Sequence, residues 1–218
     1  PSTVFLAVTG HRRNDRRPVV LRTDNNGNTW KELTQGFRTE DFIRAVREDR
    51  SRPDLLYAAS QSGVYISLNG GNLWENLQLN LPAVPVTDLS VARNDLVIST
   101  DGRGFWILDD LTPLRQFNSE LQKSPVHLFS PRPAYRVPGK SGKQPGLGEN
   151  PPNGAIIDYY FSEPPSSEVK IEILDQAGTV VRSFTSLDRK AVDAPSAKKP
   201  VQLSKRAGVN RLIWDLRH

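Results

Sequence analysis

Short runs of apolar, β-branched and aromatic residues, broken every few positions by Gly, Pro, Asn or Asp, follow one another along the whole chain. Phe42-Ile-Arg-Ala-Val46 and Val86-Thr-Asp-Leu-Ser-Val91 alternate apolar with polar, the period of a strand with one buried face. Asp54-Leu-Leu-Tyr-Ala-Ala-Ser-Gln-Ser-Gly63 lines up with Asp95-Leu-Val-Ile-Ser-Thr-Asp-Gly-Arg-Gly104 at an offset of 41 residues. Each is followed by further strand material, Val64-Tyr-Ile-Ser67 and Phe105-Trp-Ile-Leu108. The pattern predicts a repeating unit of four short strands, near 42–47, 55–60, 63–67 and 73–78 in the best-preserved copy. The first copy enters partway, with Val4-Phe-Leu-Ala-Val8 and Val19-Val-Leu-Arg22 joined by a polar loop. The third keeps its strands and ends on Asp109-Asp-Leu-Thr-Pro-Leu-Arg-Gln-Phe117.

A box punctuates the first two copies. Thr23-Asp24-Asn25-Asn26-Gly27-Asn28-Thr29-Trp30 and Ser67-Leu68-Asn69-Gly70-Gly71-Asn72-Leu73-Trp74 stand 44 residues apart and share a hydroxyl, an Asn, a Gly and a Trp. Gly and Asn adopt the positive φ of a tight turn at least cost. The hydroxyl of Thr23 or Ser67 can lock that turn onto its strand by a hydrogen bond. Trp30 and Trp74 are both expected to fold back between neighbouring units. Burying ~150–250 Å² of each at ~25 cal/mol/Å² is worth up to roughly 4–6 kcal/mol. A structural role is therefore expected for Thr23, Asn25, Gly27, Trp30, Ser67, Asn69, Gly71 and Trp74. A four-stranded repeat of ~40–45 residues is the size of a β-propeller blade. Residues 1–117 supply about two and a half such blades, and a closed ring takes about four to eight.

Residues 118–150 read as an extended connector. Ser124-Pro125, Ser130-Pro131 and Arg132-Pro133 each disfavour helix, and Gly139-Lys-Ser-Gly-Lys-Gln-Pro-Gly-Leu-Gly148 is a polar linker. Residues 151–218 return to strands, at Ala155-Ile-Ile-Asp-Tyr-Tyr-Phe161, Val169-Lys-Ile-Glu-Ile-Leu174 and Val180-Val-Arg-Ser-Phe184. Asp175-Gln-Ala-Gly178 is a hairpin turn. A polar loop over 185–200, then Val201-Gln-Leu203, precedes a last strand at Arg211-Leu-Ile-Trp-Asp-Leu-Arg217. Four to five strands at this spacing suggest part of an immunoglobulin-like sandwich.

The boxes resemble the Asp-box of bacterial-neuraminidase-repeat proteins, Ser-x-Asp-x-Gly-x-Thr-Trp, with Asn25 and Asn69 at the Asp position and Leu73 for Thr. Gly63-Val-Tyr-Ile-Ser67, Leu77-Gln-Leu-Asn-Leu-Pro82 and Gly102-Arg-Gly-Phe-Trp-Ile-Leu-Asp-Asp110 resemble the last blades of large bacterial proteins with sortilin-like propellers, often labelled glycosyl hydrolase-like. Pro151-Pro-Asn-Gly-Ala155 and Asn210-Arg-Leu-Ile-Trp-Asp-Leu-Arg217 extend the resemblance through most of the chain. Members usually carry His where Asp101 stands, so a role built on that His is absent. The resemblance implies an all-β fold: a partial Asp-box β-propeller followed by a partial immunoglobulin-like β-sandwich.

Composition narrows the chemistry. With no Cys, disulfides, thiolate metal sites and thiol nucleophiles are excluded. There is no Met and no leader-like segment, and both ends read as strand. The chain is expected to be an internal or processed piece of a longer protein. No apolar run approaches the ~20 residues of a membrane helix, so membrane insertion is not expected. The net charge of +5 raises nucleic acid as a partner, but residues 1–115 hold 14 basic and 14 acidic side chains. Residues 116–150 hold five against two, and 151–218 ten against eight. An excess spread so thinly is not the one-faced basic stripe that phosphate binding requires.

A glycosidase needs two carboxylates ~5 Å or ~6.5–9.5 Å apart. Asp41, Asp88, Asp101, Asp109 and Asp110 qualify by composition alone. Adjacent strand residues point to opposite faces, so one of Asp109 and Asp110 more plausibly caps the chain ahead of Thr112-Pro113. His11, His127 and His218 lack metal-ligand spacing. No catalytic, metal or cofactor residue is expected. Arg12, Arg13, Arg16 and Arg17 form a basic hairpin loop able to dock an acidic patch. Gly102-Arg103-Gly104 lacks the strand-to-helix setting of a phosphate loop and offers Arg103 at a propeller face. Tyr57, Tyr65 and Trp106 read as core.

The expected function is a non-enzymatic, extracytoplasmic scaffold or protein-interaction module of a bacterial cell. Its partner would be a protein or further blades of the parent chain, since open strand edges must be paired or covered. The alternative is the C-terminal, non-catalytic part of a carbohydrate-active enzyme, which leaves carbohydrate open as a ligand.

Overall fold

A computed structural model describes residues 2–135, 152–187 and 201–217; the linker at 139–148 and most of the loop at 185–200 lie outside them. The fold is all-β, built from small antiparallel sheets, and its contacts divide it into two units, Pro1–Arg115 and Gln116–His218.

The first unit holds three consecutive sheets. β1 (Val4–Gly10), β2 (Asp15–Thr23) and β3 (Lys31–Glu32) pair in that order. β4 (Ile43–Glu48), β5 (Leu56–Ser60), β6 (Val64–Ser67) and β7 (Glu75–Asn76) form a four-stranded meander. β8 (Val86–Ala92), β9 (Asp95–Thr100) and β10 (Phe105–Leu108) form a third. The meander is covered on both faces, which is why β5 and β6 are buried along their whole length. Val46, Leu56, Ala58 and Tyr65 meet Phe5, Ala7, Val20 and Leu33 of the first repeat. Leu55, Tyr57, Ala59 and Val64 meet Val86, Leu89, Leu96 and Ile98 of the third.

The flanking sheets have only one covered face. On β1, Phe5 and Ala7 turn inward, while Val4, Leu6 and Val8 are 43%, 44% and 40% exposed. On β10, Trp106 and Leu108 turn inward, while Phe105 and Ile107 are 78% and 58% exposed. Strand alternation puts each of these sets on the face away from the meander.

Two bulges recur at one place in the repeat. The register slips between Ile43 and Ala45 on β4 and between Val86 and Asp88 on β8, so Arg44 and Thr87 are each an extra residue opposite the partner strand. Such a residue is re-aimed relative to the regular pleat.

After β10 the chain does not add a fourth strand. The Asp110 carboxylate accepts the Thr112 amide at 3.1 Å, and the short helix α1 (Thr112–Gln116) follows with Pro113 in its first turn. This is the capping expected of one member of the Asp109-Asp110 pair. From α1, Arg115 binds the buried carboxylate of Asp49 at 2.9 Å, Asn94 Oδ1 at 2.7 Å and the Arg93 carbonyl at 2.6 Å.

In the second unit the stretch expected to be extended begins with a helix, α2 (Ser119–Lys123). The Asn118 side chain accepts the Leu121 amide at 2.8 Å as an N-cap, and Ser124-Pro125 ends the helix. β11 (Val126–Leu128) then pairs with β12 (Ala155–Phe161), which also pairs with β15 (Gly208–Trp214). β13 (Lys170–Leu174) and β14 (Val180–Thr185) form a hairpin whose turn has Gly178 at φ +81°. β12 is buried on both faces. Ile157, Tyr159 and Phe161 pack with Phe184, Leu203 and Leu212, while Tyr160 packs with Leu121 and Phe129. Its one carboxylate, Asp158, is matched across the ladder by Arg211 at 2.9 and 3.1 Å.

Tyr57 is fully buried between sheets, and its hydroxyl has no hydrogen-bond partner among the described residues. Burial raises its pKa, and Tyr65 is raised by burial and by its bond to Asp41. Folding therefore favours the neutral phenols, whose stabilisation is complete below ~10 and is lost as pH rises further. Chemical denaturation should show Tyr57→Phe within about 1 kcal/mol of the parent at pH 7 and with a shallower loss of stability above pH ~10. A larger cost at pH 7 would mean that the hydroxyl is satisfied.

Candidate functional site

The two boxes fold alike. Thr23 Oγ1 accepts the Gly27 amide at 2.9 Å and donates to Asn25 Oδ1 at 3.0 Å, which accepts the Thr29 amide at 2.9 Å. Ser67 Oγ accepts the Gly71 amide at 2.9 Å and donates to Asn69 Oδ1 at 3.0 Å, which accepts the Leu73 amide at 2.9 Å. Gly27 and Gly71 both sit at φ +89°, a backbone that an L side chain strains to adopt. Only Oδ1 is needed as an acceptor, so Asn serves where the Asp-box pattern has Asp. Asn25 Nδ2 adds a bond to Thr29 Oγ1 at 2.9 Å that Leu73 cannot repeat.

The two Trp residues part company. Trp74 is 1% exposed and lies in a cradle made by the preceding repeat. Its indole N–H donates to the Leu33 carbonyl at 3.0 Å, its amide donates to the Gln35 carbonyl at 2.9 Å, and Phe37 stacks on it at 4.8 Å. Gly36 makes the approach possible, because a Cβ there would lie 2.1 Å from the Trp74 carbonyl oxygen. Trp30 is 44% exposed, against the expectation that both would bury. The reason is non-local. The cradle of Trp74 belongs to the repeat before its box, so burial of a box indole depends on chain outside the box. In the second repeat Asn80 stands at the place of Gly36, and the third repeat correspondingly has no box.

The remaining candidates scatter. Arg12 and Arg13 are exposed in the 3-10 turn His11–Arg13, and Arg103 is exposed between β9 and β10. Arg17 pairs with Asp15 at 2.8 Å and holds that carboxyl down to about 2. Asp41 is buried beneath four donors: Ser60 Oγ at 3.1 Å, Ser62 N at 3.0 Å, Ser62 Oγ at 2.5 Å and Tyr65 Oη at 2.8 Å. Asp88 pairs with Arg47 at 2.6 Å, and Asp101 is exposed in a bend. Among the described residues no three His, Asp or Glu side chains could share a metal ion. His127 meets Phe129 edge to face at 5.0 Å, and His218 lies outside the described residues.

One constellation was not visible from spacing. His11, Arg16, Glu40, Phe42, Arg44 and Gln61 line a cleft of about 280 Å³. The His11 ring stacks on Phe42 at 4.7 Å and 7°, and Arg44 Cζ lies 5.0 Å from the centre of the same ring. Arg44 Nη2 donates to Gln61 Oε1 at 2.6 Å, while its Nε is shielded from water and has no acceptor among the described residues. Leaving such a donor unmet costs ~1–3 kcal/mol. Glu40 sits at φ +64°, a backbone held only where its surroundings enforce it. The Asp41 network between Glu40 and Phe42 is what holds this corner. Two of the six residues were noted in the sequence, Arg16 as loop charge and His11 as an isolated imidazole.

No family model and no curated protein matches this chain. Among solved structures it is similar to an ancestral GH74 enzyme at 13% identity and a TM-score of 0.35, over 84% of this chain. The chain spans 25% of that protein's length, and a likeness at this level bears on neither activity nor site residues.

Trp74→Ala should destabilise the first unit by about 3–5 kcal/mol, as truncation of a buried Trp does, and Trp30→Ala by less than about 1 kcal/mol. Denaturant unfolding of the two variants checks this, and equal costs would mean that both indoles are docked.

Proposed function

We propose that residues 1–117 are consecutive blades of an Asp-box β-propeller, followed by part of an immunoglobulin-like sandwich. In this reading the chain serves as a non-enzymatic scaffold or protein-interaction module on the extracytoplasmic side of a bacterial cell. The observation that carries it is the unequal pair of indoles. A box Trp is built to enter a cradle on the preceding repeat; Trp74 has one, and Trp30 presents the same surface unfilled. Val4, Leu6 and Val8 extend an apolar surface on the same repeat, and Phe105 and Ile107 expose one at the far end. Apolar faces of this kind mark association sites. The carboxylates that composition offered for glycoside chemistry support the same reading where they are engaged in structure, Asp41 by serines and a tyrosine and Asp88 by Arg47. No described helix is long and apolar enough to cross a membrane.

The occupant proposed for the first face is a further four-stranded repeat, in the parent chain or on a protein partner, offering a carbonyl and a ring as Leu33 and Phe37 do. Sedimentation velocity of the 218-residue chain over a concentration series tests the reading. Self-association is expected, and Leu6→Asp, on the exposed face of β1, should weaken it. A sharp monomer at all concentrations, with no apolar-dye binding, would contradict it.

A further inference from the structure

The outer edge of the third sheet is built unlike those of the first two. In the first repeat the Val20 carbonyl accepts the Leu33 amide at 2.8 Å, and in the second the Val64 carbonyl accepts the Leu77 amide at 2.8 Å. The strands so attached, β3 and β7, are only Lys31-Glu32 and Glu75-Asn76, and all four residues are exposed. Very short, polar strands of this kind blunt a sheet edge against further pairing. The 41-residue offset puts Phe105 at the place of Val64, yet among the described residues β10 pairs with β9 alone. The Thr100 amide donates to the Gly104 carbonyl at 3.1 Å, which fixes the alternation along the ladder. Trp106 and Leu108 turn their backbone groups to β9, while Phe105 and Ile107 turn theirs to the open edge. The side chains of the same two residues are exposed. β10 has no Pro, no charge and no bulge to protect that edge.

From this edge we infer that β10 pairs antiparallel with β10 of a second copy of this chain, about a two-fold axis at Trp106. The inference rests on the reading of the outer apolar faces as association surfaces and names the partner of one of them. Centred there, Phe105 faces Ile107 of the second copy and Ile107 faces its Phe105, each pair exchanging two backbone hydrogen bonds. Both outward amides and both outward carbonyls of each copy are thereby used. An aromatic ring opposite a β-branched side chain is a favourable cross-strand pair, and it occurs twice. The same register brings the exposed Arg103, beyond one end of β10, toward Asp109 beyond the other, so opposite charges meet at both ends. A shift of two residues either way would instead set Ile107 against Arg103 or Phe105 against Asp109. The contact is isologous and closes at two copies, whereas pairing of β10 with the open strand β1 of another copy would be heterologous and would continue.

Sedimentation velocity of the full 218-residue chain carrying Leu6→Asp, which disables the β1 face, tests the inference. A dimer should persist in that background over a concentration series and grow no larger. Phe105→Lys, at an exposed side chain, should raise the dimer dissociation constant by about tenfold or more. Arg103→Glu should raise it by about tenfold, because both end contacts become repulsive, and it keeps the test decisive if Phe105→Lys fails to fold. Hydrogen exchange over residues 105–108 should slow as the dimer forms, since the outward amides acquire acceptors. A Leu6→Asp chain that is monomeric while the parent associates would overturn the β10 pairing and leave the β1 face standing; a monomeric parent would overturn both. Growth beyond two copies, or a dimer in which 105–108 gains no protection or that both Phe105→Lys and Arg103→Glu leave untouched, would overturn the two-fold pairing.

Discussion

The contact between the Trp74 indole and the Leu33–Phe37 segment of the preceding repeat is the joint on which the first unit depends. It combines a hydrogen bond to a carbonyl, a stacked ring and a backbone approach that only glycine at position 36 permits. The box hydrogen bonds do not by themselves bury anything. They hold the turn so that the indole leaves it in the direction of the neighbouring repeat, and the apolar area removed from water there supplies the stabilisation. Tyr65 ties this joint to the rest, because its ring meets Phe37 edge to face at 4.9 Å and its hydroxyl reaches Asp41.

A directional joint leaves each end of a row different from its middle. The central strands β5 and β6 of the meander are buried along their whole length, whereas the sheets on either side keep exposed apolar residues on their outer faces. The third repeat departs from the pattern in a consistent way. Asn80 in place of the glycine and a short helix in place of a box and outer strand change together, and Arg115 on that helix is spent on Asp49 and on the turn before β9.

What was legible in the sequence was local. Strand positions followed from alternation and from runs of β-branched and aromatic residues. The box geometry followed from the needs of a positive-φ turn. The fate of Trp30 was not legible, since an indole buries only if another segment comes to it, and that depends on chain far from the box. The helix after Asn118 was missed because three X-Pro pairs outweighed an N-cap that the sequence does show, Asn118-Ser-Glu-Leu. The cleft was missed because it gathers residues from three separate stretches: a loop, a strand start and a hairpin. Nothing in Phe42-Ile-Arg-Ala-Val46 announced the bulge that turns Arg44 toward it.

Hydrogen exchange at the indole N–H groups, read by NMR on tryptophan-labelled protein, tests the directional joint most directly. The Trp74 indole should exchange only through opening of the first unit, with protection approaching that of its central strands. The Trp30 indole, half in solvent and without a partner among the described residues, should exchange at nearly the rate of a free side chain. Equal protection of the two indoles, or rapid exchange at Trp74, would contradict the account.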